Sequence, residues 1–104
     1  MVKRKINWSS NALMDLLEII QYYNNRNKSK IYSTKLNSEI KLILKTIDFT
    51  VSLPQKTAIP NLFYFTHKHI TVCFEIYENE LKIQLVIDDR RNPQLINRLL
   101  INLD

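Results

Sequence analysis

Residues 69–93 read HITVCFEIYENELKIQLVIDDRRNP, and the way this stretch pairs with itself decides the fold. In steps of two, Ile70, Val72, Phe74 and Ile76 share one face, with Thr71, Cys73, Glu75 and Tyr77 on the other, the period of a half-buried strand. Glu78-Asn79-Glu80 is a short polar turn containing an Asn, which tolerates positive φ. Beyond it Leu81, Ile83, Leu85 and Ile87 alternate with Lys82, Gln84, Val86 and Asp88. The two runs predict an antiparallel hairpin whose second strand turns Leu81, Ile83, Leu85 and Ile87 inward. It ends in Asp88-Asp89-Arg90-Arg91-Asn92-Pro93. There Asn92 can cap, and Pro93 can open, a short amphipathic helix carrying Leu95, Ile96, Leu99, Leu100 and Leu103.

Upstream of the hairpin, Leu62 to Phe65 is an aromatic-rich strand candidate, separated from Ile70 by the polar Thr66-His67-Lys68-His69, so three strands form a meander. Thr50 to Pro60 is irregular. At the N-terminal end, Val2 to Trp8 fits a first strand with its even positions inward. Ser9, Ser10 and Asn11 offer caps for a first helix on which Leu13, Leu16, Leu17 and Ile20 recur at helical spacing. Asn24 to Lys28 is a polar turn. Ser29 can cap a second helix, ending near Asp48, with Tyr32, Leu36, Ile40, Ile43, Leu44 and Ile47 on one stripe. The expected architecture is α+β over residues 1–104 as one domain. A small antiparallel sheet, made of the first strand and the meander, carries an antiparallel helix pair and a short C-terminal helix.

The chain has 104 residues, 45% hydrophobic and 24% charged, in the range of a globular domain that needs no disulfide or metal to be stable. The single Cys73 has no partner for an internal disulfide, which suits a reducing compartment, and the cytoplasm is expected. No apolar run approaches the ~20 residues of a membrane span. Fifteen Lys plus Arg against ten Asp plus Glu give a formal charge of +5. Such a balance either confers solubility alone or favours a polyanionic partner. With no glycine in the chain, glycine-rich phosphate loops are excluded, and with them the ordinary nucleotide-binding enzymes.

The order of elements resembles the RelE/ParE superfamily of bacterial toxins. The residues that carry the resemblance are Ile6-Asn7-Trp8-Ser9 leading into a helix with Ala12 and Leu16, the segment Tyr32-Ser33-Thr34-Lys35-Leu36, and Asp89-Arg90-Arg91-Asn92-Pro93 after the last strand. The resemblance implies the toxin of a type II toxin–antitoxin (plasmid stabilisation) system, inhibiting growth until a cognate antitoxin with an acidic or amphipathic segment wraps it. It also implies a target, either mRNA on the ribosome or DNA gyrase. Members that cut messenger RNA use no metal and place several Lys and Arg around the scissile phosphate. Here Arg90 or Arg91 matches the Arg after the last strand. Leu62-Phe63-Tyr64-Phe65 and Thr71 stand where such members carry basic residues. The branch that poisons gyrase without catalysis is therefore at least as well supported, and a basic protein- or nucleic-acid-binding module without toxicity is the third reading.

If the hairpin turns at Asn79, His69 falls opposite Asp89, Lys68 opposite Arg90 and His67 opposite Arg91. Arg90, Arg91 and His67 are then the candidate catalytic residues. Lys68 and His69, with the two arginines, are candidates for holding nucleic acid or another target. A neutral His can take a 2′-hydroxyl proton, and Lys or Arg can stabilise charge building on a phosphate. The alternative is a set of solvated turn residues in which Asp88 or Asp89 pairs with an Arg. No cofactor is implied, and His67 and His69 have no Cys, Asp or Glu pattern to complete a metal site. Ile19, Tyr22 and Tyr23 make the first helix's apolar surface broader than one core face needs, which marks them for antitoxin binding.

Overall fold

The computed structural model describes residues 5–46, 55–57 and 59–91. In chain order these form β1 (Lys5–Trp8), α1 (Ser10–Asn27), α2 (Ile31–Thr46), β2 (Gln55–Lys56), β3 (Leu62–His67), β4 (Ile70–Tyr77) and β5 (Glu80–Asp88). The fold is α+β. The strands lie in the order β1-β5-β4-β3-β2, and two helices pack on the sheet. β3, β4 and β5 make the meander, while β1 pairs parallel to β5 from Lys5↔Glu80 to Trp8↔Ile83, so the sheet is mixed rather than wholly antiparallel. A parallel neighbour needs a crossover, and the intervening helix pair supplies it. The expected C-terminal helix, the end of the second helix beyond Thr46 and the start of the first strand at Val2 lie outside the described residues. No helix among the described residues is long and apolar enough to cross a membrane.

One core cluster holds Ala12, Ile19 and Tyr23 of α1, Leu36, Ile40 and Leu44 of α2, Ile70, Val72 and Phe74 of β4, and Leu81, Ile83 and Val86 of β5. Each fully buried Leu, Ile or Phe among them contributes roughly 1.5–3 kcal/mol of apolar burial. Ile6 and Trp8 pack against the same cluster, as the even positions of β1 predict. A second cluster of Leu62, Cys73 and Ile87, with Tyr64 and Leu85 against it, involves the other face of the sheet.

The inward set of β5 differs from the expected one. Pairing is regular from Ile70↔Asp88 to Cys73↔Leu85, but Phe74 then faces Ile83, which makes Gln84 the extra residue of a β-bulge. A bulge exchanges the faces beyond it. Leu81 and Ile83 stay inward, but Val86 replaces Leu85 and Ile87, which go to the second cluster, and Asp88 comes round to the helix side. The start of α1 is built around this irregularity. β1 ends opposite Ile83, so the next stretch of β5 has no strand on that side. Its backbone is served instead by Ser9, whose amide donates to the Ile83 carbonyl (2.9 Å) and whose hydroxyl donates to the Gln84 carbonyl (3.3 Å), and by Asp15 Oδ2, which accepts from the Val86 amide (3.2 Å). Ser9 is also the N-cap of α1, accepting from the Ala12 amide at 3.0 Å.

α1 is rotated relative to the expected stripe. Ala12, Leu16, Ile19 and Tyr23 face the core, whereas Leu13 and Leu17 are 52% and 54% exposed. The buried set runs i, i+4, i+7, i+11, and the small Ala12 lets the helix approach the sheet closely. α1 ends with Lys28 in the left-handed conformation (φ 52°), its amide bonded to the Asn24 carbonyl. In a chain without glycine a lysine takes this position, at a cost of about 1–2 kcal/mol.

Candidate functional site

At the end of the sheet the turn between β3 and β4 is only Lys68-His69, because His67 is already paired with Ile70. Lys68 takes the positive φ (56°) that so tight a turn demands. This shortness corrects the expected register. His69 does lie opposite Asp89, whose amide donates to the His69 carbonyl at 2.8 Å, but His67 and Lys68 belong to β3 and its turn and do not continue opposite Arg91 and Arg90. Both reach α2 instead. His67 Nε2 lies 2.8 Å and Lys68 Nζ 3.1 Å from Glu39 Oε1, and hydrogen bonds from His67 and then Lys68 hold the Glu39 carboxyl below its ordinary value.

His69 turns inward and is 7% exposed, beside Asp88 at 1%. One oxygen of Asp88, Oδ2, accepts from the Tyr23 hydroxyl at 2.7 Å. The other, Oδ1, accepts from the Arg90 amide at 3.0 Å and lies 3.1 Å from His69 Nδ1. A carboxylate only accepts, so Nδ1 donates to Asp88, and Nε2 is hydrogen-bonded to the Tyr32 hydroxyl, the ring's other partner. The rings of Tyr23 and Tyr32 meet edge to face at 5.4 Å, and Tyr32 stacks on His69 at 6.1 Å with 10° between planes. The network ties α1, α2, the β3–β4 turn and the end of β5 together. Among the described residues neither Asp88 nor Asp89 pairs with an arginine side chain. Asp89 lies toward Thr71, whose hydroxyl donates to its Oδ1 at 2.8 Å.

Arg90 and Arg91 follow directly and are exposed. Arg91 lays its guanidinium 4.0 Å from the ring centroid of Tyr22, which in turn meets Tyr23 edge to face. Such a cation–π contact contributes about 0.5–1 kcal/mol at an exposed site. Of the three residues assigned to antitoxin binding, Tyr22 is at the surface under Arg91, while Ile19 and Tyr23 are core residues. Sequence reading missed Tyr32 as a member of the site, gave Tyr23 another role and weighed Asp88 only as an ion-pair partner of an arginine. The available signal was an Asp two residues before an Arg at a strand end, which is the spacing of a side-chain acceptor for the i+2 amide.

Burial is the main reason that Tyr23 is pushed up from 10.0 to about 12, with its hydrogen bond to Asp88 adding. Burial likewise pushes Cys73 up from 9.0 to about 12, helped by the charge of Asp89. Both groups hold their protons more tightly in the folded chain than in the unfolded one. Their contribution is therefore complete below the unfolded values and is lost as pH rises through the folded ones. Stability should fall progressively from about pH 9 to about pH 12, and Tyr23→Phe should flatten part of that slope. Urea denaturation across this range checks both.

No protein-family model and no curated protein matches the chain. Among solved structures, it is similar to a chain of the chromosomal ParDE toxin–antitoxin system from P. aeruginosa, with a TM-score of 0.64 and 14% identity over 83% of this chain and 96% of that one. At this identity the likeness is one of architecture. The sheet, the helix pair upon it and the basic turn after the last strand are thus set in the fold of a chain from a ParDE toxin–antitoxin system.

Proposed function

We propose that this chain is the toxin of a toxin–antitoxin system and that it acts by occupying a protein target, DNA gyrase in the first instance, rather than by cutting RNA. The shared architecture supports the coarser half of the reading. The finer half is carried by one observation: the titratable groups at the end of the sheet are engaged within the chain. Both ring nitrogens of His69 are taken, by Asp88 and Tyr32, and His67 and Lys68 share Glu39. Metal-free cleavage of RNA needs a general base and acid within reach of the 2′-hydroxyl and the leaving oxygen, and these histidines are committed elsewhere. Arg90 and Arg91 are left as an exposed cationic pair suited to a carboxylate or phosphate on a partner.

The partner reading also rests on α1. Leu13 and Leu17 are exposed on one side of the helix, with Ile20 and Asn24 continuing the same side at helical spacing. Ile20 and Asn24 line a cleft of about 280 Å³ against Lys30, Ser33, Thr34 and Asn37. Asn37 Oδ1 is buried there without a hydrogen-bond partner among the described residues. An apolar stripe leading to Lys30 on a chain of charge +5 suits an amphipathic, acidic antitoxin segment. Expression of the chain alone should arrest growth, and co-expression of the antitoxin should relieve it. Relaxed DNA in a supercoiling assay with purified gyrase is the expected result. New RNA ends with gyrase unaffected would instead assign the ribonuclease activity.

A further inference from the structure

We infer that Asp88 is the positioning residue for Arg90 and Arg91, an inference that rests on the reading that these arginines meet the target. Residues 88–91 close a turn in which the Arg91 amide donates to the Asp88 carbonyl at 3.1 Å, and the Arg90 amide donates to Asp88 Oδ1 at 3.0 Å. The backbone of both arginines therefore hangs on one residue. That residue does not move independently, because Tyr23 of α1 and His69 of the β3–β4 turn grip its two oxygens in a buried setting. The bulge at Gln84 is what makes this arrangement available. Without it Asp88 would lie on the opposite face of the sheet from Tyr23, and the arginines would leave β5 in another direction. The exposed cations are thus aimed by a carboxylate that never touches the target, and their direction is inherited from the core.

Residue-resolved amide hydrogen exchange on the intact chain tests this. In the wild-type protein the Arg90 amide should exchange at least about tenfold more slowly than an unstructured amide although its side chain is exposed, because a net hydrogen bond is worth about that factor. Exchange at the unstructured rate overturns the proposal without any variant. Asp88→Ala should release the Arg90 amide while that of Val72 in β4 stays protected, and it should abolish growth arrest. Asp88→Asn keeps an acceptor at Oδ1, so it should restore protection to within about threefold of wild type and restore arrest with it. A folded Asp88→Ala protein with a protected Arg90 amide overturns the proposal, as does an Asp88→Asn protein no better than Asp88→Ala. If Asp88→Ala does not fold, the wild-type rate and Asp88→Asn decide. The Arg90→Ala/Arg91→Ala double variant separates the two claims: arrest that persists in this variant refutes the arginines as target contacts, while the exchange rates of the retained amides report on the turn alone.

Discussion

His69→Ala should lower the unfolding free energy by about 3 kcal/mol or more, a large share of the margin of a domain this size. The cause is what the substitution leaves behind. Asp88 would stay buried with its charge, keeping among the described residues the Tyr23 hydroxyl and the Arg90 amide as donors, and Tyr32 would lose its hydrogen-bond partner. Removing one partner of a buried charge costs far more than the contact itself is worth, because the remaining group keeps its desolvation penalty. Tyr23→Phe removes a single donor to the same carboxylate and should cost about 1–2 kcal/mol. Because both act on Asp88, the double variant should depart from additivity by at least about 0.5 kcal/mol. Chemical denaturation of the two singles and the double measures this, and additive losses would mean that the network does not act as a unit.

The second large effect concerns the proposed antitoxin face. Leu13→Glu with Leu17→Glu should weaken the antitoxin complex by about a hundredfold or more, the scale of losing two apolar anchors at an interface. Stability should change by only about 0.5 kcal/mol per site, since these side chains, like Met14 at 68% exposure, are already in water. Ile19→Ala should do the reverse. It opens a cavity in the core and should cost about 2–4 kcal/mol of stability while leaving the affinity of the folded fraction nearly unchanged. Calorimetric titration with the antitoxin segment, alongside denaturation, separates the two sets. A tight complex from the double Glu variant would place the docking face elsewhere.

Period and capping made the strands and helices readable because these are local signals. Alternation along β4 and the repeat of Leu36, Ile40 and Leu44 along α2 follow from backbone geometry alone. The bulge was not readable for a physical reason. Leu85-Val86-Ile87 is apolar at three successive positions, so either alternate set can face a core, and the choice is made by Ser9 and Asp15, some seventy residues away in sequence. α1 posed the same ambiguity. Leu13-Leu17-Ile20 and Ala12-Leu16-Ile19-Tyr23 both have helical period, and burial of the second set depends on a tyrosine finding Asp88 across the fold. The candidate site was legible as a concentration of charge at a strand end. Which charges turn inward was not, because a two-residue turn and a bulge together decide it.

Growth arrest by the Arg90→Ala/Arg91→Ala double variant, measured beside its melting temperature, tests most directly whether the basic end of the sheet is the acting surface. Both side chains are exposed, and among the described residues the packing lost is the stacking of Arg91 on Tyr22, about 0.5–1 kcal/mol. The double variant should therefore melt close to wild type, still bind the antitoxin and no longer arrest growth. A folded, antitoxin-binding double variant that arrests growth as fully as wild type would contradict the claim.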